Sequence, residues 1–390
     1  MTNPVFHRRS LLASLLGLGA SQVLASAAQP AGGDAPAAGG PVQRIAAAWR
    51  LAGPGAATDA SPHGDHVGIV DIDWDAGTLH LRQPTPVPTR GHGLLALADG
   101  GFAAVATRPG RWLLRCDAQG QVAVRHDIGS ERPARSFDGH VDASADGRWL
   151  YTVETDPTSG QGWISVRDIR TLARVAQFAS GGIDPHQMLH TPDGQLMVAN
   201  GGIPRDGSGR KRQLDEMAPC LVRIHPSSGR FEGRWTLPDA RLSLRHMAWS
   251  VDAQPLLGIA LQAEHDSAAQ RAEAPTLAVF DGQALGLPCS DTAAGGYTGD
   301  IAAGPGGGFV LSAQKQRLGL WWHPAQPQAY TRVAELTEPC ALVSWPGGAG
   351  VTLHAARGAA RWHVRHGARM LAWPVALAPD NHAVALRPTA

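Results

Sequence analysis

Five histidines occupy equivalent positions in a repeated segment of the sequence, and they are its strongest candidates for ligand chemistry. They are His92, His140, His186, His246 and His382. Two further copies of the segment begin with Asp300 and Cys340 instead. Imidazole, carboxylate and thiolate groups are common ligands of transition metals, so a fold that gathers these seven residues would create a metal site. One ion takes about four to six ligands at about 2 Å, so only a subset of the seven could bind the same ion.

Four other polar residues are candidates for binding a cofactor beside the histidines: Arg108, Glu154, Asn200 and Arg245. Arg108 and Glu154 end the second half of their repeats, one step outside the histidines. They could orient the imidazoles or bind a carboxylate ligand such as an iron chelator. The alternatives are structural. Arg108 and Glu154 could pair with other rim groups, and Asn200 could begin a turn made by the two glycines that follow it.

The histidines also have a purely structural interpretation. A histidine at the start of a strand can hydrogen-bond a neighbouring backbone and help to close a ring of strands. The sequence contains no GxSxG, HExxH or Gly-rich phosphate motif, so no short motif identifies a catalytic mechanism.

Pairs of short β-strands are the elements that would position these residues. In the clearest copy, residues 140–155, an extended segment leads to Asp146-Gly147, and a second extended segment follows at 149–153. Asp-Gly between two β-rich segments indicates a hairpin, because glycine supplies the positive φ of a tight turn. The next copy has the same length, since fourteen positions separate His140 from Glu154 and also His186 from Asn200.

Recurrence of such a unit about every forty to fifty residues is typical of a β-propeller. Copies that open at 92, 140, 186, 246, 300, 340 and 382 predict an all-β fold with seven blades. We expect residues 44–82 to supply three strands of the first blade and the C-terminal segment from His382 to supply its inner strand, because this closure removes open sheet edges. The first strands of the blades line the axis of a propeller, so the opening residues should meet at one mouth.

The N-terminal region has the pattern of an export signal. Within 1–27, Arg8-Arg9 precedes an apolar stretch, and Ala25-Ser26-Ala27 fits a small-x-small cleavage site. Residues 28–41, rich in Ala, Gly and Pro, are predicted to be a disordered linker, and the propeller is predicted over 42–390. We therefore expect a periplasmic protein that is exported by the twin-arginine pathway and has no membrane span after processing.

The composition argues against two classes of partner and site. A formal net charge of +1 gives no field that would favour nucleic acid or an anionic membrane. The four cysteines form no CxxC pair, which excludes zinc-finger spacing. The 47 Gly and 29 Pro suit a chain with many turns, and the 12 Trp supply apolar surface for packing between blades.

Several motifs are similar to those of a known family. They are Gly91-His92-Gly93, Gly139-His140, residues 160–168, 182–186, 198–203 and 214–219, Leu244-Arg245-His246 and Asp380-Asn381-His382. Together they resemble the exported propeller family of unknown function that is encoded beside imelysin-type peptidases and a di-haem oxidoreductase in iron-regulated gene clusters. The resemblance spans the mature chain. It implies seven blades, a periplasmic location, a link to iron acquisition, and one of those two proteins as partner. It supports the five histidines and Cys340 as family features, whereas Asp300 falls outside the matched motifs.

Three functions from different classes fit these observations. The first is a periplasmic accessory propeller for iron uptake, with a His-rich axial site for a transition metal, iron or copper, or for a metal complex. The second is a metal-dependent hydrolase of the lactonase type, with Glu154 or Asp300 as general base. The third is a docking scaffold for neighbouring exported proteins, in which the histidine ring has only a structural role.

Overall fold

Seven antiparallel sheets of four strands each form the blades of a propeller in the computed structural model. The structure describes residues 42–53 and 57–386. The predicted signal peptide, 1–27, and the predicted linker, 28–41, lie outside the described residues. No helix in the described ranges is long and apolar enough to cross a membrane.

The strands are numbered in chain order. The first fifteen are β1 (Gln43–Leu51), β2 (Asp65–Asp73), β3 (Thr78–Pro86), β4 (Gly91–Ala96), β5 (Phe102–Ala106), β6 (Trp112–Cys116), β7 (Val122–Asp127), β8 (Ser136–Ala143), β9 (Trp149–Thr155), β10 (Gln161–Asp168), β11 (Arg174–Ile183), β12 (Pro185–His190), β13 (Leu196–Asn200), β14 (Cys220–Ile224) and β15 (Phe231–Trp235). The others are β16 (Leu242–Trp249), β17 (Leu257–Ala263), β18 (Leu277–Phe280), β19 (Leu285–Gly286), β20 (Ile301–Ala303), β21 (Phe309–Ala313), β22 (Leu318–Trp322), β23 (Tyr330–Glu335), β24 (Leu342–Ser344), β25 (Gly350–Ala355), β26 (Gly358–His363), β27 (His366–Ala372) and β28 (Leu377–Ala385).

Helical structure in the described ranges is limited to single short segments in the connections. The α-helix α1 spans Ala268–Glu273, and the 3₁₀ segments are Ile128–Ser130, Leu214–Glu216, Pro305–Gly307, Gln314–Gln316 and Pro346–Gly348.

Blade 1 joins the two ends of the described chain, with strands in the order β28-β1-β2-β3. Ile45 pairs with Ala385 and Leu51 with Leu377, so the C-terminal strand forms the inner edge of this blade. Blades 2 to 7 each use four consecutive strands, from β4–β7 to β24–β27. The inner strands β28, β4, β8, β12, β16, β20 and β24 contact one another in a closed ring. The predicted seven blades and the C-terminal closure are confirmed, although β28 begins at Leu377, five residues before His382.

Apolar side chains pack mainly between neighbouring blades. The largest cluster joins blade 4 and blade 5, for example Met197 and Leu221 with Ile259 and Phe280. Similar clusters occupy the other six blade interfaces. Each blade therefore gains its stability from two neighbours rather than from one central core, which leaves the axis free for polar residues.

The Asp-Gly hairpins also form as predicted. Gly147 has φ +67, and its N–H donates to the carbonyl of Ser144 at 2.9 Å. The turn joins β8 to β9, which pair through Val141 and Thr152. Each hairpin therefore places the second strand antiparallel to the inner strand. The second strand returns the chain to the rim at which the inner strand began.

Candidate metal centre

The five histidines lie where the inner strand of a blade departs from regular pairing with the next strand. The pairing register is interrupted at 91–94 in β4, 137–141 in β8, 185–187 in β12, 244–247 in β16 and 379–383 in β28. Each interruption contains one of the five histidines. A residue in such a bulge is released from the ladder, so its side chain can turn out of the pleat toward the axis.

Two glycines allow β4 and β8 to approach closely enough for their histidines to touch. A Cβ atom on Gly93 would lie 2.4 Å from the carbonyl oxygen of Gly139. Gly139 itself has φ +99, and a Cβ there would lie 2.8 Å from Cδ2 of His92. Larger residues at either position would force the strands apart. The ring centroids of His92 and His140 are consequently only 4.9 Å apart.

The five rings form one cluster on the axis. Their centroids are separated by 4.2 Å for His246 and His382, 4.5 Å for His186 and His246, and 4.7 Å for His140 and His382. His92 is 4.7 Å from His382 and 6.1 Å from His186. Four of the rings are buried, and the side chain of His382 is 11% exposed. The structure thus brings together side chains from five blades that lie far apart in the sequence.

Four of these histidines have the geometry of a metal site: His92, His140, His246 and His382. One ring nitrogen from each lies within 4.8 Å of the others. Nitrogens bound to one ion at about 2.0–2.1 Å in a tetrahedral site lie about 3.3–3.4 Å apart. Binding would therefore draw the most separated pair together by about 1.5 Å or less, a movement that side-chain rotations can supply. The donor set is four imidazoles, which suits zinc, copper, iron or nickel.

Burial favours the neutral form of three imidazoles in the four-histidine set. It lowers the pKa of His92 to about 4, against an ordinary value of 6.5. Burial also lowers the pKa values of His140 and His246 well below 6.5, and the neighbouring imidazoles add to the shift because each would repel a second positive charge. Neutral imidazole is the form that binds metal ions, so protons compete little for these nitrogens at neutral pH.

A buried ion pair orients His92. Its Nδ1 lies 2.9 Å from Oδ1 of Asp380, which also accepts hydrogen bonds from the guanidinium of Arg90. Burial alone would raise the pKa of Asp380, but Arg90 and His92 hold it below its usual range. An ionised carboxylate beside Nδ1 keeps the ring proton there and leaves the Nε2 lone pair for a ligand.

A second carboxylate stands behind His382. Oδ1 of Asp300 lies 3.4 Å from Nδ1 of His382. The same carboxylate accepts the backbone N–H groups of Ile301 and Leu342, both at 2.9 Å. Burial raises the pKa of Asp300. Asp300, considered from the sequence as a metal ligand or general base, therefore lies one step behind the cluster as a partner of a ligand histidine.

His186 has a different role, because two guanidiniums hold its ring. Nδ1 receives donors from Arg108 and, at 3.2 Å, from Arg245. A guanidinium can only donate, so Nδ1 must be the acceptor and the ring proton must sit on Nε2. Nε2 lies 2.7 Å from Nε2 of His246 and donates to it, which leaves the proton of His246 on Nδ1. His186 therefore offers no free lone pair, and the two cations beside it oppose a metal at this position. His246 would bind an ion through Nε2 only when this hydrogen bond is broken. Of the four cofactor candidates, Arg108 and Arg245 lie at the cluster.

Glu154 lies within blade 3 instead. Its carboxylate accepts from Arg167 at 2.7 Å, from Thr152 at 2.7 Å and from Ser165 at 2.8 Å. Arg167 and Glu154 both have no solvent exposure, and Arg167 also pairs with Glu131. Both oxygens of Glu154 are engaged in this buried network, which indicates a structural ion pair rather than a general base at the axis.

Asn200 and Cys340 also bind to nearby backbone or side chains. The amide of Asn200 accepts from the hydroxyl of Ser180 at 2.7 Å and donates to the carbonyl of Ser180 at 3.1 Å. This contact joins blade 4 to blade 3. Cys340 is buried, and its thiol contacts the carbonyl oxygen of His354 at 3.3 Å and that of Pro379 at 3.8 Å. The structure does not place Cys340 in the four-histidine set.

Asp184 and Asp380 are functional residues that reasoning from the sequence missed. Each stands two positions before a histidine of the cluster, as does Asp138 before His140. An Asp-x-His pattern therefore recurs in three blades and could have indicated carboxylates that support the ring. The pairing itself could not be read from the pattern, because Asp380 supports His92 of the next blade rather than its own neighbour His382.

Comparison with known families gives one match that covers most of the chain. Residues 85–386 match the family described as "Protein of unknown function (DUF1513)". No relative among curated proteins matches the sequence.

Solved structures share the fold at low sequence identity. A putative 6-phosphogluconolactonase from Bacteroides uniformis has a TM-score of 0.54 at 14% identity, covering 86% of this chain and 99% of that one. Hydrazine synthase from Kuenenia stuttgartiensis has a TM-score of 0.53 at 12% identity, and the match covers 83% of this chain and 99% of that one. Virginiamycin B lyase from Staphylococcus aureus has a TM-score of 0.51 at 10% identity, and the match covers 73% of this chain and 85% of that one. At these identities the likeness concerns the propeller fold alone.

Proposed function

Because the chain belongs to the DUF1513 family, whose function is unknown, we propose from the geometry of its site that this propeller binds one transition-metal ion on its axis. The ligands in this proposal are His92, His140, His246 and His382. One observation carries the proposal: four nitrogens from four separate blades lie within 4.8 Å of one another in a nearly buried cluster. Four imidazoles gathered without an ion would bury polar nitrogens at a cost, which metal ligation removes.

Unpartnered nitrogens in the cluster support this proposal. Nε2 of His140 and Nε2 of His382 are buried and have no hydrogen-bond partner among the described residues. Asp300 adds a negative charge behind His382 that is balanced by no guanidinium among its described contacts. Its field favours a cation at the cluster. The neutral nitrogen donors favour iron or copper over calcium or magnesium, which prefer oxygen ligands.

One candidate general base of the hydrolase alternative is already engaged elsewhere. Glu154 is committed to Arg167, so the alternative with Glu154 as general base lacks its base. A metal-dependent hydrolase therefore becomes an outcome of the test rather than the main proposal.

We further propose that the protein works in the periplasm as an accessory of iron acquisition. The twin-arginine pattern at Arg8-Arg9 supports export. The resemblance of the histidine motifs to the exported family of iron-regulated clusters supports the link to iron. An imelysin-type peptidase or a di-haem oxidoreductase is the partner we propose on the same basis.

Metal titration tests the binding proposal. Chelator-treated protein is incubated with Zn²⁺, Cu²⁺ or Fe²⁺, separated from free ions by gel filtration, and its metal content is measured by elemental analysis. We expect about one ion per chain for at least one of these metals. In the variant His140→Leu with His382→Leu, the content should fall to a small fraction. Both Nε2 atoms lack a hydrogen-bond partner among the described residues, and Asp300 keeps its two backbone donors when Leu replaces His382.

His354→Phe is the matched control, since His354 is buried but lies outside the four-histidine set. This variant should retain metal as the unchanged protein does. A metal-free wild type whose melting temperature far exceeds that of the double variant would instead favour the docking scaffold with a structural ring. Hydrolysis of lactones that depends on the bound metal would favour the enzyme.

A further inference from the structure

A second polar cavity lies beside the histidine cluster, where loops of blades 2, 3 and 4 meet. Its volume is about 350 Å³, at the lower end of the range of small-molecule sites. Arg108 and Asp184 form part of its wall. Arg108 also donates to His186, so this cavity adjoins the metal centre without sharing its four ligands. The proposed function makes no use of this cavity.

Three guanidinium groups surround one carboxylate of the cavity wall. Asp184 accepts from Arg108 and, at 2.6 Å, from Arg205, which both line the cavity, and at 3.2 Å from Arg245, which does not line it. Burial alone would raise the pKa of Asp184, but these three cations lower it to about 2. Three positive charges thus surround the ionised carboxylate of Asp184. Even with Asp138 on the cavity wall counted as ionised, one positive charge remains.

The other acidic residues of the cavity wall are neutralised by their own partners. Asp156 pairs with Arg135 at 3.0 Å, and Asp206 pairs with Arg212 at 2.7 Å. Neither carboxylate therefore offsets the positive charge at the inner wall. An anion entering the cavity would meet an unbalanced guanidinium field in a partly desolvated site, where such an interaction is stronger than at an open surface.

One nitrogen of the Arg205 guanidinium is available to a ligand. Nε donates to Asp184, and Nη1 donates to the carbonyl of Gly209 at 2.9 Å. Nη2 takes part in neither of these hydrogen bonds. The side chain is held in place by both contacts, yet it is still 19% exposed. A guanidinium that is already fixed loses little conformational freedom when it binds a ligand.

We propose that this cavity is a binding site for a small monocarboxylate, with Arg205 as the principal partner of the carboxylate. The residual single positive charge is balanced by one carboxylate, whereas a phosphate dianion would be repelled by Asp138 and Asp184. This inference concerns a site separate from the four histidines. It can hold or fail independently of metal binding.

The test uses chelator-treated protein at low salt and L-lactate as probe, with lactamide as its neutral analogue and inorganic phosphate as the competing oxyanion. Binding is followed by ligand-observed NMR titration. We expect lactate to bind, and lactamide and phosphate to bind at least about tenfold more weakly. Arg205→Gln should weaken lactate about tenfold, because it removes the charge of the principal partner.

Two further variants distinguish a loss of lactate binding from misfolding. Arg210→Gln changes an arginine of the same loop that is 73% exposed and pairs with Asp206, and it should leave lactate affinity unchanged. Thr158→Lys adds a positive charge at an exposed position on the cavity rim and should tighten lactate several-fold, a gain that misfolding cannot produce. Equal binding of lactate and lactamide overturns the proposal. Unchanged affinity in both Arg205→Gln and Thr158→Lys, or stronger binding of phosphate than of lactate, does so too.

Discussion

Replacement of His354 by Phe should make the protein resistant to mild acid. His354 lies at the end of β25, is 1% exposed, and packs edge to face on Trp373 at 5.7 Å between ring centroids. Neither of its ring nitrogens has a hydrogen-bond partner among the described residues. Burial lowers the pKa of this imidazole from 6.5 to about 4. Phenylalanine has nearly the same shape and no proton to gain.

The magnitude follows from the shift in the pKa of His354. Between pH 6.5 and pH 4 the unfolded chain binds a proton that the folded protein refuses, so stability falls as the pH decreases through this window. Each unit of pKa difference is worth about 1.4 kcal/mol, so the full loss is about 3.4 kcal/mol, of which about 2 kcal/mol has occurred by pH 5. Above pH 6.5 this contribution to stability is fully present. The variant should lack the 2 kcal/mol loss.

Urea unfolding of metal-free protein at pH 8 and pH 5 measures this difference. Between pH 8 and pH 5 the free energy of unfolding of the wild type should fall by about 2 kcal/mol more than that of His354→Phe. At pH 8 the variant should be at least as stable, because no unpartnered ring nitrogen remains buried. His80→Phe, at an exposed position of β3, is the matched control and should lose as much stability between pH 8 and pH 5 as the wild type does. Equal losses of unfolding free energy in the wild type and in His354→Phe would show that protonation of the buried His354 ring is not coupled to folding.

Two other predictions concern the ion pair of blade 3 and export. Arg167→Met should lower the free energy of unfolding by about 3–5 kcal/mol in urea titrations, because it leaves the buried carboxylate of Glu154 without its cation, and adding Glu154→Gln should recover part of the loss. A loss below about 1 kcal/mol would contradict a structural role for this pair. Arg8→Lys with Arg9→Lys should retain the protein in the cytoplasmic fraction, since a receptor reads the pair. An undiminished periplasmic fraction on immunoblots would point to another export route.

Much of the fold could be predicted because its evidence is local. Each blade repeats the same strand and turn pattern, and Asp146-Gly147 marks a hairpin through the backbone freedom of glycine alone. Closure by the C-terminal strand followed from a half-copy at His382 with no partner of its own. The bounds of β28 were less predictable, because its first half, from Leu377, precedes the bulge that contains His382 and lacks the repeat pattern.

The site was predictable in its residue types but not in its contacts. The repeat register identified the five histidines, since equivalent positions on inner strands must converge on the axis. The division into four candidate ligands and one orienting ring depends on Arg108 and Arg245, which reach His186 from other blades. Glu154 was expected at the rim, but its carboxylate bonds to Arg167 of β10. The register places Arg167 opposite Leu150, so its long side chain reaches along the sheet to Glu154, a contact that spacing along one segment does not reveal.

Anomalous diffraction from crystals grown with the best-binding metal would show whether the four histidines bind the ion. Data collected above and below the absorption edge of that metal locate the ion without reference to the protein atoms. We predict one anomalous peak on the propeller axis, about 2 Å from a nitrogen of each of the four histidines in the set, with His186 outside the coordination shell. A peak elsewhere, or no axial peak from crystals whose protein carries stoichiometric metal, would contradict it.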